Sequence, residues 1–477
     1  MNVLAMLAWW GYSPAMSELW QLDATDLATK IAAREVSSTE VLEALLARVA
    51  AVNPKLNAIV RIMEEDARIT AKTADAMVAR GDKLGSFHGV PITVKENIDM
   101  AGLPTTQGVV MLAEAVVPGD APIVERMRAC GAIPFARTNL PDLGLRVHTD
   151  SGLHGLTRNP WNYDRTVAGS SGGEASSLAS GMSPFGLGND LGGSLRNPAN
   201  AAGICSIKPS FGRVPAANYL PPQSMGPGFA QMAVQGVMAR TVRDVRRGLL
   251  AVMGAHPRDP LSISAPLVGP EVPKRVMLCA EPAGSPTNPE IAAVVRQAGE
   301  VLRDHGYEVV EGHPPASEEI ARIWSTLVAI DTEDMRAFLE SAVSADGKRF
   351  SIGAEGSAPS TRAEVVAAFT RRHEIARMWS ELMAQTPIIV LPTWTQVPFP
   401  HGWDIQHGRG TIDQMRPVLP ANLLGLPSAC VPAGMADGSP VAVQVMADRF
   451  REDVALDVAA IIEASGIGPK TPIDPAW

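Results

Sequence analysis

Several features are scarce or absent in this chain of 477 residues, and each absence narrows the functions it can have. Cysteines are too few and too far apart for a disulfide scaffold or a CxxC zinc site; the four are Cys130, Cys205, Cys279 and Cys430. Basic residues are not in excess either, because the net charge is −9 and is spread along the chain. We therefore expect free thiols, no bound metal, no cofactor and no nucleic-acid partner.

Long apolar runs are also missing. The apolar stretch at residues 2–10 has no basic region before it and no Ala-x-Ala cleavage site after it, so it does not resemble a signal peptide, and it is too short to span a bilayer. We therefore predict a cytoplasmic protein that does not associate with membranes. Length alone leaves open two or three domains or one large α/β unit, although no Pro/Gly/Ser-rich linker divides the chain.

What the chain does contain is a pair of serines, each set among glycines. Ser170 lies in Gly169-Ser170-Ser171-Gly172-Gly173, and Ser194 follows Gly192 and Gly193. Glycines let a backbone turn tightly and direct several N–H groups into one small space, which is what a developing oxyanion requires. A Gly-Ser-Ser-Gly-Gly string alone is usually a flexible or structural loop, but the second serine nest makes nucleophilic catalysis the better interpretation.

A serine hydroxyl needs a base, and Lys95 is the candidate. The apolar run from Val90 to Val94 predicts a buried strand, and Lys95 follows at its end. A lysine there can be desolvated, which lowers its pKa and leaves an amine able to accept a proton. Because Glu96 is the next residue of an extended strand, we expect its side chain to point to the opposite face.

Lys95, the Ser170 loop and the Ser194 loop together resemble the amidase signature family of serine hydrolases, and the resemblance extends from about Glu18 to Glu463. Further segments agree with it: 103–106, 158–161, 208–213, 238–244 and 421–427. The resemblance implies a Ser–Ser–Lys triad in which Ser194 is the nucleophile, Ser170 a bridging serine after a cis peptide bond, and Lys95 the base. It also implies an oxyanion hole formed by the backbone N–H groups of Leu191, Gly192, Gly193 and Ser194.

Two positions depart from the family pattern. Asn189 stands where the family most often has Thr or Ser, and Val109 stands where Ser is frequent. The fold implied is α/β, a large mixed β-sheet covered by α-helices on both sides, in a single domain over residues 16–477. Residues 1–15 precede what resembles the start of a family member, so we interpret them as an N-terminal extension.

Local patterns support this organisation. Ser37 to Glu40 and Thr361 to Glu364 form two capping boxes, the first before a helix predicted through Ala50. Residues 184–188 predict the strand that leads to Ser194, and residues 174–180 predict a short helix beside the Ser170 loop. Residues 317–385 are predicted to be rich in helix.

Two other interpretations apply to some of these residues. Residues 169–173 also match a Gly-x-Ser-x-Gly nucleophile elbow with Ser171 as nucleophile, but the preceding segment 159–167 is polar and turn-rich rather than a buried strand. His148, Asp150 and His154 could suggest metal ligands, but their spacing fits no standard helical site, and hydrogen bonding within a loop explains them better.

The predicted function is hydrolysis of carboxylic amide C–N bonds through an acyl-enzyme on Ser194. Expected substrates are small aryl or alkyl amides, anilides or carbamates, because the candidate pocket residues are large and apolar: Tyr219, Met225, Phe229, Trp324 and Trp394. The oligomeric prediction is a monomer or homodimer. One alternative is the glutamine-hydrolysing subunit of a tRNA-dependent amidotransferase, disfavoured because Val214 to Tyr219 departs from that subunit's pattern; the other is a non-catalytic binding protein on the same fold.

Overall fold

The protein is described from a computed structural model that covers residues 16–220, 225–284, 286–351 and 361–475. Residues 1–15, which we predict to be an extension, lie outside the described residues. The strands, in chain order, are β1 (Ile59–Ile62), β2 (Pro91–Lys95), β3 (Ile133–Thr138), β4 (Asp150–Ser151), β5 (Gly155–Leu156), β6 (Phe185–Asp190), β7 (Cys205–Lys208), β8 (Val234–Ala239), β9 (Arg275–Leu278), β10 (Glu308–Glu311), β11 (Ile388–Pro392), β12 (Ser428–Ala436) and β13 (Ser439–Ala447).

Eleven of these strands form one sheet in the order β1-β3-β2-β6-β8-β7-β12-β13-β11-β9-β10, and β4 and β5 form a separate pair. The sheet is mixed. Strand β2 runs parallel to β3 and β6, whereas β8 is antiparallel to β6 and β7. Strands β9 and β11 are parallel, and β13 is antiparallel to both β11 and β12. The predicted mixed α/β sheet is confirmed.

Seventeen α-helices are found among the described residues. They are α1 (Ala24–Ala32), α2 (Ser38–Leu56), α3 (Glu64–Arg80), α4 (Pro122–Ala129), α5 (Gly172–Ala179), α6 (Arg196–Ala202), α7 (Pro227–Ala230), α8 (Val242–Val252), α9 (Pro289–Asp304), α10 (Ser317–Asp334), α11 (Arg336–Ala342), α12 (Ala345–Ser351), α13 (Arg362–Gln385), α14 (Trp403–Gln406), α15 (Gly408–Met415), α16 (Leu419–Leu424) and α17 (Glu452–Ala464). Both predicted capping boxes are formed, at the starts of α2 and α13. Helix α2 continues six residues beyond Ala50, through Pro54.

Side chains of the central strands alternate between two cores, which places helices on both faces of the sheet. On β12, Ala429 and Val431 belong to the large core that includes residues of α9 and α17, whereas Cys430 belongs to a smaller core. That smaller core contains residues of α5 and α6. Because successive residues of a strand point to opposite faces, the two cores lie on opposite sides of the sheet.

Two parallel strands end at the same edge of the sheet and bring polar residues there. Thr93 of β2 pairs with Gly186 of β6, so Lys95 at the end of β2 and Asn189 near the end of β6 are neighbours. The loop before α5 lies at this edge, because Ser170 Oγ is 2.7 Å from Lys95 Nζ. The loop before α6 lies beside it, because Ser171 N donates to Ser194 O at 3.3 Å. Within the segments that the structure covers, no helix combines the length and apolar character needed to cross a bilayer.

Candidate active site

Lys95 is fully buried, and its amine has two oxygen partners. Its Nζ lies 2.7 Å from Ser170 Oγ and 2.7 Å from Asn189 Oδ1. Burial is the main influence on this group and lowers the pKa of Lys95 to about 7, while the nearby charges of Asp190 and Glu174 oppose the shift. A large fraction of this amine is therefore neutral near pH 7, and a neutral amine has a lone pair that can accept a proton.

The two serines differ in exposure. Ser170 is 2% exposed and follows a cis Gly169–Ser170 peptide bond, whereas Ser194 is more exposed. Both line one cavity with a volume of about 180 Å³. The structure thus brings together Lys95, Ser170 and Ser194, with the buried amine at one end and the cavity-facing hydroxyl at the other.

The loop before Ser194 is held in shape by a buried ion pair. The carboxylate of Asp190 accepts from Gly193 N at 2.7 Å and from Leu195 N at 3.1 Å, and it pairs with the guanidinium of Arg196. Burial would raise the pKa of Asp190, but the Arg196 charge and hydrogen bonds outweigh it and lower the pKa to about 2. The loop therefore rests on a permanently charged carboxylate.

This geometry distinguishes among the predicted oxyanion donors. The Gly193 N–H is already engaged by Asp190, whereas in the described part of the chain no acceptor is found for the N–H groups of Leu191, Gly192 and Ser194. Gly193 has a φ of +96°, and a Cβ there would lie 2.4 Å from Asn197 Oδ1. This turn consequently requires glycine.

Among the described residues, no acidic side chain forms an ion pair with Lys95, although several lie near it. Glu96 bonds His154, with its Oε2 2.7 Å from Nε2, as the predicted opposite orientation requires. Glu174 accepts hydrogen bonds from Thr93 and from Thr138, the latter at 2.7 Å. Burial raises the pKa of Glu174 to about 7 despite these bonds. A partly neutral Glu174 does less to keep a charge on Lys95 than a permanent carboxylate would.

Asn189, one of the departures from the family pattern, has a partner that sequence reasoning missed. Its Nδ2 donates to Asn97 Oδ1 at 2.8 Å, and this bond directs its own Oδ1 toward Lys95. Asn97 falls two residues after Lys95, and that proximity was the only signal available in the sequence.

The five predicted substrate-binding residues are distributed over three places. Met225 and Phe229 line the serine cavity. Tyr219 lies in an adjacent cavity of about 420 Å³, which contains neither serine. Trp324 and Trp394 do not line the serine cavity; their Nε1 atoms donate to Leu191 O at 3.0 Å and to Asn197 Oδ1 at 2.8 Å. These two tryptophans support the Ser194 loop from behind.

The histidines considered as metal ligands have other partners. His148 Nδ1 lies 2.7 Å from Thr166 Oγ1, and His154 bonds Glu96. No group of three or more His, Cys, Asp or Glu side chains suited to a metal ion occurs in the ranges that the structure describes.

Comparison with known proteins gives consistent matches over nearly the whole chain. The profile of the family described as Amidase matches residues 40–456. An indoleacetamide hydrolase from Bradyrhizobium diazoefficiens is 38% identical over 458 residues, which cover 93% of this chain and 86% of that protein. One of the glutamyl-tRNA(Gln) amidotransferase subunits, from Roseiflexus sp., is 31% identical over 481 residues, 93% of this chain and 96% of that protein.

Among solved structures, a 6-aminohexanoate cyclic dimer hydrolase in complex with substrate is similar to this chain. The TM-score is 0.82 at 29% sequence identity, and the match covers 96% of this chain and 99% of that one. The eleven-stranded mixed sheet with its helices is therefore an established hydrolase fold.

Proposed function

The chain belongs to the amidase signature family and is an enzyme that cleaves carboxylic amide C–N bonds; from this premise we propose that Ser194 is its nucleophile. Ser170 carries the proton between Ser194 and Lys95, which is the base. The observation that carries the proposal is the 2.7 Å contact between the buried Lys95 Nζ and Ser170 Oγ, beside a second, cavity-facing serine.

The proposed reaction begins with neutral Lys95. As Ser194 Oγ bonds to the substrate carbonyl carbon, its proton passes to Ser170 Oγ, and the Ser170 proton passes to Lys95 Nζ. The carbonyl oxygen becomes negative and accepts hydrogen bonds from the free N–H groups of Leu191, Gly192 and Ser194. The proton returns by the same route to the leaving nitrogen, the C–N bond breaks, and water then releases the acid from Ser194.

The cavity supports an uncharged substrate. Of the described residues that line it, Asp190 alone has an ionisable side chain, and that carboxylate is paired with Arg196. Apart from the hydroxyls of Ser170 and Ser194, the remaining side chains of the wall are apolar or carboxamide, with Leu143, Phe229 and Gln235 as examples. We propose aryl or alkyl amides and anilides as substrates, with carbamates as a related class, since the attack on the carbonyl is the same.

The same lining disfavours free glutamine, the substrate of the alternative function. Glutamine has an α-ammonium and an α-carboxylate, and both lose hydration on entering a cavity. Asp190 is already paired, so no charged group on the described wall is available for either of them. The indoleacetamide hydrolase relative also favours an amide with an apolar acyl part over an amino acid.

A turnover panel tests the proposal directly. Purified protein is assayed with an arylacetamide, an aliphatic amide, an anilide, a carbamate and glutamine, and the Ser194→Ala variant is the matched control. We expect amide or anilide turnover that disappears in the variant, and little turnover of glutamine. Efficient glutamine hydrolysis, or amide hydrolysis that survives in Ser194→Ala, would contradict the proposal. Failure to react with a fluorophosphonate would favour the non-catalytic alternative.

Oligomeric state and compartment are not needed for this chemistry. The monomer or homodimer remains our proposal, and sedimentation of the purified chain measures it. Cytoplasmic location remains a prediction from the sequence alone.

A further inference from the structure

Gln235 is a buried polar residue that the proposed reaction does not use. It is the second residue of β8 and is only 4% exposed, yet it lines the cavity that contains Ser170 and Ser194. In the antiparallel pairing of β6 with β8, it lies directly opposite Asn189, which bonds Lys95. Residues opposite each other on neighbouring strands have Cβ atoms about 5 Å apart on the same face. Gln235 therefore lies next to Asn189 and close to the proposed base, Lys95.

The carboxamide oxygen of Gln235 lacks a partner among the residues that the structure describes. Its Oε1 is buried and accepts no hydrogen bond there. The neighbouring Asn189 is different, because its amide is paired with that of Asn97 at 2.8 Å. Burying a carboxamide oxygen without a partner is unfavourable, so an unpaired carboxamide oxygen on a cavity wall has a physical reason to bind a ligand.

We propose that Gln235 is a specificity residue that pairs with a second, neutral amide group of the substrate, close to the bond that is cleaved. A carboxamide has donors and an acceptor, and another amide complements both. The preferred substrate class is thus a diamide, such as the amide of an N-acylated amino acid, with an apolar side chain for the cavity's Leu, Met and Phe residues. This inference rests on the proposed function, because it names the substrate of the same site.

The placement of Gln235 beside Asn189 also suggests a position for the second amide of the substrate. Asn189 lies between Lys95 and the Gln235 strand, and Ser170 shares the Lys95 amine with Asn189. Ser194 and Gln235 also line the same cavity, so the inference assigns the second amide to a position near the α-carbon of the substrate rather than at the far end of the acyl group. An α-acylamino substituent satisfies this position, whereas an amide at the end of a long chain does not.

Two compounds of the same shape test the inference. N-Acetylphenylalaninamide contains the second amide, and 2-benzyl-4-methylpentanamide replaces that amide by an isosteric hydrocarbon. Their dissociation constants are measured by calorimetry on Ser194→Ala protein, so that recognition is observed without turnover. We expect the diamide to bind at least about tenfold more tightly, the effect of one good hydrogen-bonded pair. In Ser194→Ala/Gln235→Met the two compounds should bind within about twofold of each other.

Kinetic measurements with an intact Ser194 complete the test. Gln235→Met should raise KM for the diamide about tenfold while kcat changes little, because uniform binding is lost. Met225→Leu is a conservative change elsewhere on the cavity wall. It should change KM for the two compounds by the same factor. Equal affinity of the two compounds for Ser194→Ala protein, or a preference unchanged by Gln235→Met, would overturn the inference. A binding preference without any turnover would instead preserve it and refute the proposed reaction.

Discussion

Two buried lysines, Lys95 and Lys208, share almost every property except their partners. Both are 0% exposed, both end a strand of the same sheet, and burial lowers the pKa of each to about 7. Lys95 Nζ contacts the hydroxyl of Ser170, but Lys208 Nζ donates to the carbonyl oxygen of Pro209 at 2.7 Å. A carbonyl has no proton to give, so of these two lysines Lys95 is the one whose amine contacts a possible proton donor.

The difference shows that a lowered pKa does not by itself identify a catalytic lysine. Burial makes both amines available as bases, and geometry decides which one has a proton donor in reach. Lys208 lies near the Asp190 and Arg196 ion pair, and the charge of Arg196 contributes to lowering the Lys208 pKa. Its environment is consistent with support of the Ser194 loop rather than with chemistry.

The largest expected effect separates the two lysines. Lys95→Ala should reduce kcat by on the order of 10³-fold or more, because the proposed base is lost. Lys95→Arg should not restore activity, since a guanidinium keeps its proton. Steady-state kinetics on folded protein, verified by circular dichroism, measure both. Near-normal kcat in Lys95→Arg would show that Lys95 provides charge or structure instead.

A parallel contrast applies to two candidate nucleophiles, Ser194 and Ser171. Ser194→Ala should reduce kcat by on the order of 10³-fold or more, whereas Ser171→Ala should reduce it far less. Ser171 is fully buried, and its Oγ has no hydrogen-bond partner in the part of the chain that the structure describes. A larger loss in Ser171→Ala than in Ser194→Ala would favour the nucleophile-elbow interpretation.

The pH dependence of kcat/KM sharpens the comparison further. Lys95 must be neutral to accept a proton, so activity should be low below its pKa and should rise with pH through about 7. The two acidic groups that act on it, Asp190 and Glu174, face it from β6 and α5. The rising limb of the pH profile should keep its midpoint in Lys208→Met. A midpoint that moves in Lys208→Met would mean that the wrong lysine has been assigned.

Changing Asn189 should have a smaller and more specific effect, a shift in the pH dependence of activity. Asn189→Asp places a carboxylate where Oδ1 now lies 2.7 Å from Lys95 Nζ, which stabilises the charged amine. The rising limb should move to higher pH by about one unit or more, with much of the activity recovered at alkaline pH. Asn189→Leu is the matched control, which removes the hydrogen bond without adding charge. An unshifted limb in Asn189→Asp would show that this contact does not control Lys95.

The smallest expected effect is that of Lys208 itself. Lys208→Met removes a buried amine while keeping an unbranched side chain, so we expect kcat within about tenfold of the original enzyme, with thermal unfolding as the check on the fold. A loss of kcat as large as that expected for Lys95→Ala would show that the two lysines do not differ in their importance for catalysis.

The parts of the site that depend on local sequence patterns could be predicted from the sequence. The strand ending at Lys95, the strand leading to Asp190, and the helix after Ser170 each follow from apolar runs and glycine positions, and the structure has them at β2, β6 and α5. Both capping boxes were likewise local. Such features depend on residues close in sequence, so a single sequence contains enough information to predict them.

Contacts between distant segments could not be predicted in this way. Gln235 faces the cavity only because β8 pairs with β6 in one register, and nothing near it in the sequence indicates that pairing. Trp324 and Trp394 were predicted on size and apolarity, but the structure places them behind the Ser194 loop, where their indole N–H groups bond Leu191 and Asn197. A large aromatic side chain fits a ligand wall and a packed core equally well, and only the tertiary structure distinguishes them.

Locating the acyl group tests the central claim most directly. Enzyme is acid-quenched during turnover of a slowly released substrate, or labelled with a fluorophosphonate, and digested with a protease that cleaves after glutamate. Cleavage after Glu174 separates Ser170 and Ser171 from Ser194, which a digestion at Lys and Arg would leave in one peptide. We predict a single adduct on Ser194, formed much more slowly in Lys95→Ala and at a rate within about tenfold of the original enzyme in Lys208→Met. An adduct on Ser170 or Ser171 would contradict the account.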